Sequence, residues 1–364
     1  MNIKHSLILI FCLSLIVCAQ ASAASARKQE AELVTDVSYF SGLNVASGKT
    51  YTIRGIGFKA NDKIKLTPTE KNNAGEIILN GEVTRDRLTI IIPEGFQSGR
   101  YQLELIRNNK TRHLGFTQLN KVDALPSTPK VTAHRGYWNT VGSAQNSITA
   151  LRKAQELGVF ASEFDVWLTA DGKLVIHHDA KTINGITIQD STHDEVKGFI
   201  LENGEPIPTL EAFLEQAKAK PEMTLAVEIK THKTKEKNYA VVAATVKAIN
   251  KAGLMNQVMF LAFNLDICKE LIRIQPGCKV AYLNGDKPPS ELHALGITGA
   301  NYGVKAIRAN PRWIKEAHDL GMTINVRTLN TMANVIEMAN LGVDYISSDC
   351  PAQAQQIVEH FQGK

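Results

Sequence analysis

From residue 131 onward the chain repeats one unit: a short run of apolar, often β-branched residues, then a segment of helical period. Nine runs qualify as strands: Val131–His134, Ser162–Val166, Leu174–His178, Leu225–Ile229, Val258–Phe263, Lys279–Leu283, Thr298–Tyr302, Thr323–Val326 and Asp344–Ser347. The helical segments include Ser147–Leu157, Thr209–Lys218, Ala240–Ala252 and Met332–Leu341. Strands alternating with helices in this way build a parallel sheet. About 235 residues of this pattern predict a single α/β domain, a TIM-type (β/α)8 barrel over residues 131–364. A flavodoxin-like open sheet is the alternative, although it needs fewer units. Nine strands are one more than a barrel uses. The second and third are joined only by Leu168-Thr169-Ala170-Asp171-Gly172, too short for a crossover helix, so a hairpin or a distorted crossover is expected there.

Residues 33–120 obey a different period. Thr50-Tyr51-Thr52-Ile53-Arg54, Lys63-Ile64-Lys65-Leu66, Leu88-Thr89-Ile90-Ile91-Ile92 and Tyr101-Gln102-Leu103-Glu104-Leu105-Ile106 alternate in twos between Gly- and Asn-containing turns. That pattern predicts a small all-β sandwich of immunoglobulin-like type. Ile53-Arg54-Gly55-Ile56-Gly57-Phe58, Ile92-Pro93-Glu94-Gly95 and Ser98-Gly99-Arg100-Tyr101 within it resemble the IPT/TIG domain. No cluster of ionisable residues is evident there, and a spacer or an attachment module for glycan or protein is expected. Residues 121–130, with Pro126-Ser127-Thr128-Pro129, interrupt both helix and ladder and form the linker.

Residues 1–24 read as an export signal: Lys4, an apolar run from Leu7 to Cys18, then Ala21-Ser22-Ala23. The run is too short to span a bilayer. Export implies a periplasmic, cell-surface or secreted protein. Cys18 offers a site for lipid tethering to a membrane, although Val17 stands where a lipoprotein signal normally has a small residue. Beyond the signal, Cys268, Cys278 and Cys350 are an odd number, so a disulfide framework is not expected and buried free thiols are. The net charge of +5 is mild and dispersed, which argues against nucleic acid as a partner.

Chemistry concentrates at the strand ends. In Ser162-Glu163-Phe164-Asp165-Val166, side-chain parity puts Glu163 and Asp165 on one face and Phe164 and Val166 on the other. In Leu225-Ala226-Val227-Glu228-Ile229-Lys230 the same parity joins Glu228 with Lys230. Apolar residues therefore meet the helices, and the acids meet the barrel axis. Two carboxylates about 4 Å apart repel by about 4 kcal/mol at an effective dielectric near 20, so three of them call for a cation. All-oxygen ligands suit Mg2+ or Ca2+. The bland alternative pairs Glu228 with a basic side chain and leaves Glu163 half-exposed.

His134, before Arg135-Gly136, and His178, before Asp179, end two further strands. An imidazole titrating near neutrality can take one proton and give another, which displacement at a phosphodiester needs at its two ends. Arg135 and Lys230 add cationic donors.

His134-Arg135-Gly136, Gln145-Asn146-Ser147, Glu163-Phe164-Asp165-Val166, Asp171 through Asp179 with His177-His178, Glu228-Ile229-Lys230 and Gly342 through Pro351 follow one another in that order. The set resembles glycerophosphodiester phosphodiesterases from about Val131 to the C-terminus. The resemblance implies metal-dependent hydrolysis of a glycerophosphodiester to glycerol 3-phosphate and an alcohol. By the same token His134 and His178 would be the acid and base, Glu163, Asp165 and Glu228 the ligands of one divalent cation, and Arg135 and Lys230 the phosphate contacts. His177 has parity opposite to Leu174 and Ile176 and is expected to pack rather than react.

Two positions depart from the family pattern. Gln145 replaces a usual Glu, so the group next to Asn146 is neutral, and Arg327 stands where Trp is frequent. Arg327 would meet an anionic leaving group or salt-bridge Asp344 or Asp349. Trp138 is a candidate lining for the alcohol. Rival functions are a barrel phosphodiesterase acting on intact phospholipid and a non-catalytic surface binding protein.

Overall fold

The computed structural model describes residues 36–40, 44–69, 75–121 and 127–361. The export segment 1–24, with Cys18, lies outside them, as does part of the linker. The chain divides into two compact units, one up to residue 125 and the other from residue 126.

The first unit is a pair of sheets. Its strands are β1 (Asp36–Phe40), β2 (Asn44–Val45), β3 (Thr50–Ile56), β4 (Lys63–Pro68), β5 (Ile77–Asn80), β6 (Glu82–Thr84), β7 (Arg87–Ile91), β8 (Gly99–Arg107) and β9 (Lys110–Lys121). One sheet has the order β1-β3-β7-β6, the other β2-β9-β8-β4-β5. The period-two pattern does what it promises: Ile64 and Leu66 on β4, and Tyr101, Leu103 and Leu105 on β8, are buried in one cluster with Ile53, Leu88 and Phe96. One buried charge pair was not evident beforehand. Arg107 grips Asp62 through two bonds of 2.7 Å and donates to the Gly57 carbonyl, so this pair braces the core.

The second unit is a closed barrel. Its strands are β10 (Lys130–Ala133), β11 (Ala161–Leu168), β12 (Leu174–Ile176), β13 (Thr224–Ile229), β14 (Val258–Ala262), β15 (Lys279–Tyr282), β16 (Gly299–Gly303), β17 (Thr323–Arg327) and β18 (Tyr345–Ser348). Eight run parallel, and β10 pairs with both β11 and β18, which closes the ring and excludes an open sheet. The surplus strand is β12. It pairs antiparallel with β11, Val166 opposite Ile176, so the short Leu168–Gly172 connection is a hairpin.

Parity separates two cores. Phe164, Val227 and Ile229 face outward into the main cluster beneath the helices, with the Phe164 ring 4.4 Å from that of Phe213 in the helix Leu210–Ala217. Small and mid-sized residues, among them Ala226, Met259, Leu261 and Ala281, fill the bore. Burial at the usual figure of about 25 cal/mol per Å2 makes these two clusters the main stabilising element of the domain. Cys268, Cys278 and Cys350 are free thiols, and burial pushes the first up to about 12.

Candidate active site

Strand register brings the acids together. Asp165 on β11 lies directly opposite Glu228 on β13, and Glu163 lies opposite Ala226, whose small side chain leaves room for a carboxylate. Ligand oxygens of Glu163, Asp165 and Glu228 all fall within 4.8 Å of one another, and all three residues are buried. This is the donor set and spacing of a site for a hard divalent cation.

The electrostatics agree. Burial, then the charges of Asp165 and Glu228, push the Glu163 carboxyl well above the usual range, and burial with Asp165 raises Glu228 as well. Burial also opposes ionisation of Asp165. There Lys230, the His178 imidazole, the Asn146 amide and the His134 imidazole outweigh it and hold the pKa below its ordinary value. Lys230 was expected at the phosphate. Its ammonium bridges Glu228 Oε1 at 2.7 Å and Asp165 Oδ1 at 3.2 Å. One ammonium cannot neutralise three carboxylates. Glu163 Oε1 is buried with no hydrogen-bond partner, and so is Arg135 Nε. An orphaned buried polar atom costs about 1–3 kcal/mol, and a bound cation would satisfy Glu163 Oε1.

A tight turn after β10 supplies the next residues. Arg135 and Asn146 both adopt left-handed backbone conformations, φ 59° and 60°. In that geometry the Arg135 N–H donates to Glu163 Oε2 at 2.7 Å. Gly136, φ 77°, is required because a Cβ there would come within 2.8 Å of the Ala150 backbone. Gln145, Asn146 and Ser147 divide the labour. Gln145 Oε1 accepts from Arg135 at 2.5 Å. Asn146 clamps Asp165, donating to Oδ2 at 2.8 Å while its own carbonyl accepts the Asp165 N–H at 3.2 Å. Ser147 caps the helix Ile148–Leu157 by accepting from Ala150 N. The neutral amide at Gln145 thus holds Arg135 without adding a fourth negative charge.

Both imidazoles are oriented by carboxylates. His134 Nδ1 lies 2.7 Å from Asp349 Oδ1, and His178 Nδ1 lies 2.7 Å from Asp179 Oδ1. A proton on each Nδ1 leaves Nε2 for chemistry. Burial lowers the His178 pKa, with Lys230 and Arg135 adding to it and Asp165 and Asp179 opposing. Asp349 had no expected link to His134. Burial would raise its pKa, but bonds from His134, Asn330 and the Trp138 indole hold it at about 2. Trp138 therefore supports that carboxylate. His177 packs, as its parity suggested, edge-on against Phe199 with centroids 5.5 Å apart.

Arg327 corrects an expectation. It salt-bridges neither Asp344, which accepts from His318 and Ile324 N, nor Asp349. Its guanidinium donates to the carbonyls of Asn301 and Leu283 and stacks 4.7 Å over the Phe263 ring. Burial lowers its pKa, while Glu228 and Glu163 act in the opposite sense.

A closed parallel barrel with acids and imidazoles gathered at the C-terminal mouth has the arrangement of a barrel enzyme. Residues 134–353, more than half the chain, match the model described as the glycerophosphoryl diester phosphodiesterase family. The chain belongs to that family and is a phosphoric diester hydrolase. A glycerophosphodiester phosphodiesterase from Bacillus altitudinis is 26% identical over 64% of this chain and 99% of its own length. Among solved structures, a glycerophosphodiester phosphodiesterase from Parabacteroides distasonis is 43% identical, with a TM-score of 0.64 over 66% of this chain and all of that one. A phosphodiesterase from Oleispira antarctica, in complex with the product sn-glycerol-3-phosphate, shares the fold at 24% identity and a TM-score of 0.57, over 64% of this chain and 97% of that one.

Proposed function

We propose that the chain hydrolyses glycerophosphodiesters to sn-glycerol 3-phosphate and an alcohol, using one Mg2+ or Ca2+ ion held by Glu163, Asp165 and Glu228 and two histidines as base and acid. The observation that carries this is the partnerless Glu163 Oε1 inside a ring of three buried acids, flanked by two carboxylate-oriented imidazoles. The product bound in the Oleispira antarctica relative supports the choice of substrate. Glu163, Asp165 and Glu228 would hold such an ion, which would supply positive charge for the phosphoryl group and make an attacking oxygen more acidic. The donor set contains no His or Cys, which favours Mg2+ or Ca2+ over zinc.

The protein's own groups do the rest. Arg135 and Lys230 contact the non-bridging phosphate oxygens as cationic donors. His134, backed by the Asp349 carboxylate, takes the proton of the attacking oxygen as its bond to phosphorus forms. His178 gives a proton to the alcohol oxygen as the bond between that oxygen and phosphorus breaks. Glycerol 3-phosphate release from a small panel of glycerophosphodiesters, with and without chelator, tests the reading. Turnover abolished by chelator and restored by Mg2+ or Ca2+ is expected; no release from any member of the panel would refute it.

A further inference from the structure

We propose that the cavity beside His178 is the subsite for the leaving alcohol and that it selects alcohols carrying an alkyl portion; this rests on the glycerophosphodiesterase reading above. The cavity, about 520 Å3, shares His178, Gln145 and Asn146 with the reaction site. It therefore opens on the side of the imidazole assigned to protonate the alcohol, and not on the His134 side.

Its wall is mixed: Asp179, Lys181, Thr182 and Glu202 give it a polar part, and an apolar part stands beside them. Ile183, Phe199 and Ile200 line it, all from segments that follow β12 and lie outside the eight-stranded ring. Phe199 is buried and fixed against His177, which gives the wall a rigid back. Ile183 and Ile200 are instead 90% and 54% exposed. Two large aliphatic side chains beside one cavity and in contact with water are surface that a bound alkyl group would cover. Size points the same way. A three-carbon alcohol fills on the order of 100 Å3, a few water volumes of roughly 30 Å3 each, so a small headgroup leaves most of the space unfilled.

The test is a homologous series, glycerophosphomethanol through glycerophosphohexanol, assayed as kcat/KM on the metal-loaded enzyme. Half-burial of each methylene predicts roughly a twofold rise per carbon, about 30-fold across the series. In the double variant Ile183→Asn and Ile200→Asn, both at exposed positions where the fold tolerates change, the slope with chain length flattens. Turnover that is robust but independent of chain length, or a slope unchanged in the double variant, overturns the subsite alone. Absence of turnover on every homologue overturns the glycerophosphodiesterase reading and the subsite with it.

Discussion

His134 and Asp349 stand 215 positions apart in the chain, yet Nδ1 of one and Oδ1 of the other are 2.7 Å apart. Barrel closure makes the contact: β10 pairs with β18, Ala133 opposite Ser348, so the residues just past each strand become neighbours. Asp349→Asn replaces a carboxylate held at about pKa 2 by an amide that cannot hold an imidazolium. We expect kcat to fall roughly 100-fold with little change in KM. His134→Ala should cost the larger share of the about 100- to 10,000-fold supplied by a positioned proton acceptor. Steady-state kinetics with melting curves on each variant check both.

The acid cluster predicts a trade between stability and function. Without a cation, Glu163 is pushed toward protonation by burial and by Asp165 and Glu228. Glu163→Gln removes that conflict, so the metal-free variant should melt higher than metal-free wild type by roughly 2–4 °C, about 1 kcal/mol for a chain of this size. It should also lose the thermal shift that Mg2+ or Ca2+ gives the wild type. Differential scanning fluorimetry with and without chelator measures both effects.

Gly136→Ala should be among the most damaging substitutions at the site. A Cβ would sit 2.7 Å from that of Ala150 on a backbone already at φ 77°. Left-handed strain of about 1–2 kcal/mol and overpacking of about 1–3 kcal/mol combine there. Unfolding in urea should show a loss of about 2–5 kcal/mol, with activity reduced because Arg135 and His134 move together.

His232 ties the ends of two strands. Its Nδ1 lies 2.9 Å from the Lys230 carbonyl, and its Nε2 lies 3.2 Å from the Leu168 N and 3.3 Å from the Leu168 carbonyl. Burial lowers its pKa, with Lys237 adding to the shift. A histidine with a depressed folded pKa gives its full stability above the unfolded value of about 6.5, and that stability is lost as pH falls below it. The melting temperature should fall between pH 7 and pH 5 in wild type, and His232→Gln should remove that part of the slope.

Parity and strand order made much of the site readable in advance. Glu163, Asp165 and Glu228 converge because period-two alternation assigns them one face and parallel register aligns Asp165 with Glu228. The surplus strand β12 was foreshadowed by a connection too short for a helix. Other features depend on closure or on backbone partners, which residue types do not announce. Asp349 meets His134 only when the first and last barrel strands pair. Arg327 binds carbonyls of Asn301 and Leu283, so no acidic partner in the sequence could have identified its role. Lys230 bridges two of the acids because its own strand already carries Glu228, two residues earlier, on the same face. Asp62, just before β4, pairs with Arg107 at the end of β8, and strand alternation says nothing of charge.

Divalent-ion binding and turnover, followed together on chelator-stripped protein, test the central claim most directly. Titration with Mg2+ or Ca2+ should show one ion per chain, glycerol 3-phosphate release rising with occupancy, and both signals lost in Glu163→Gln. Full turnover by the stripped protein, or undiminished ion binding by the variant, would contradict the account.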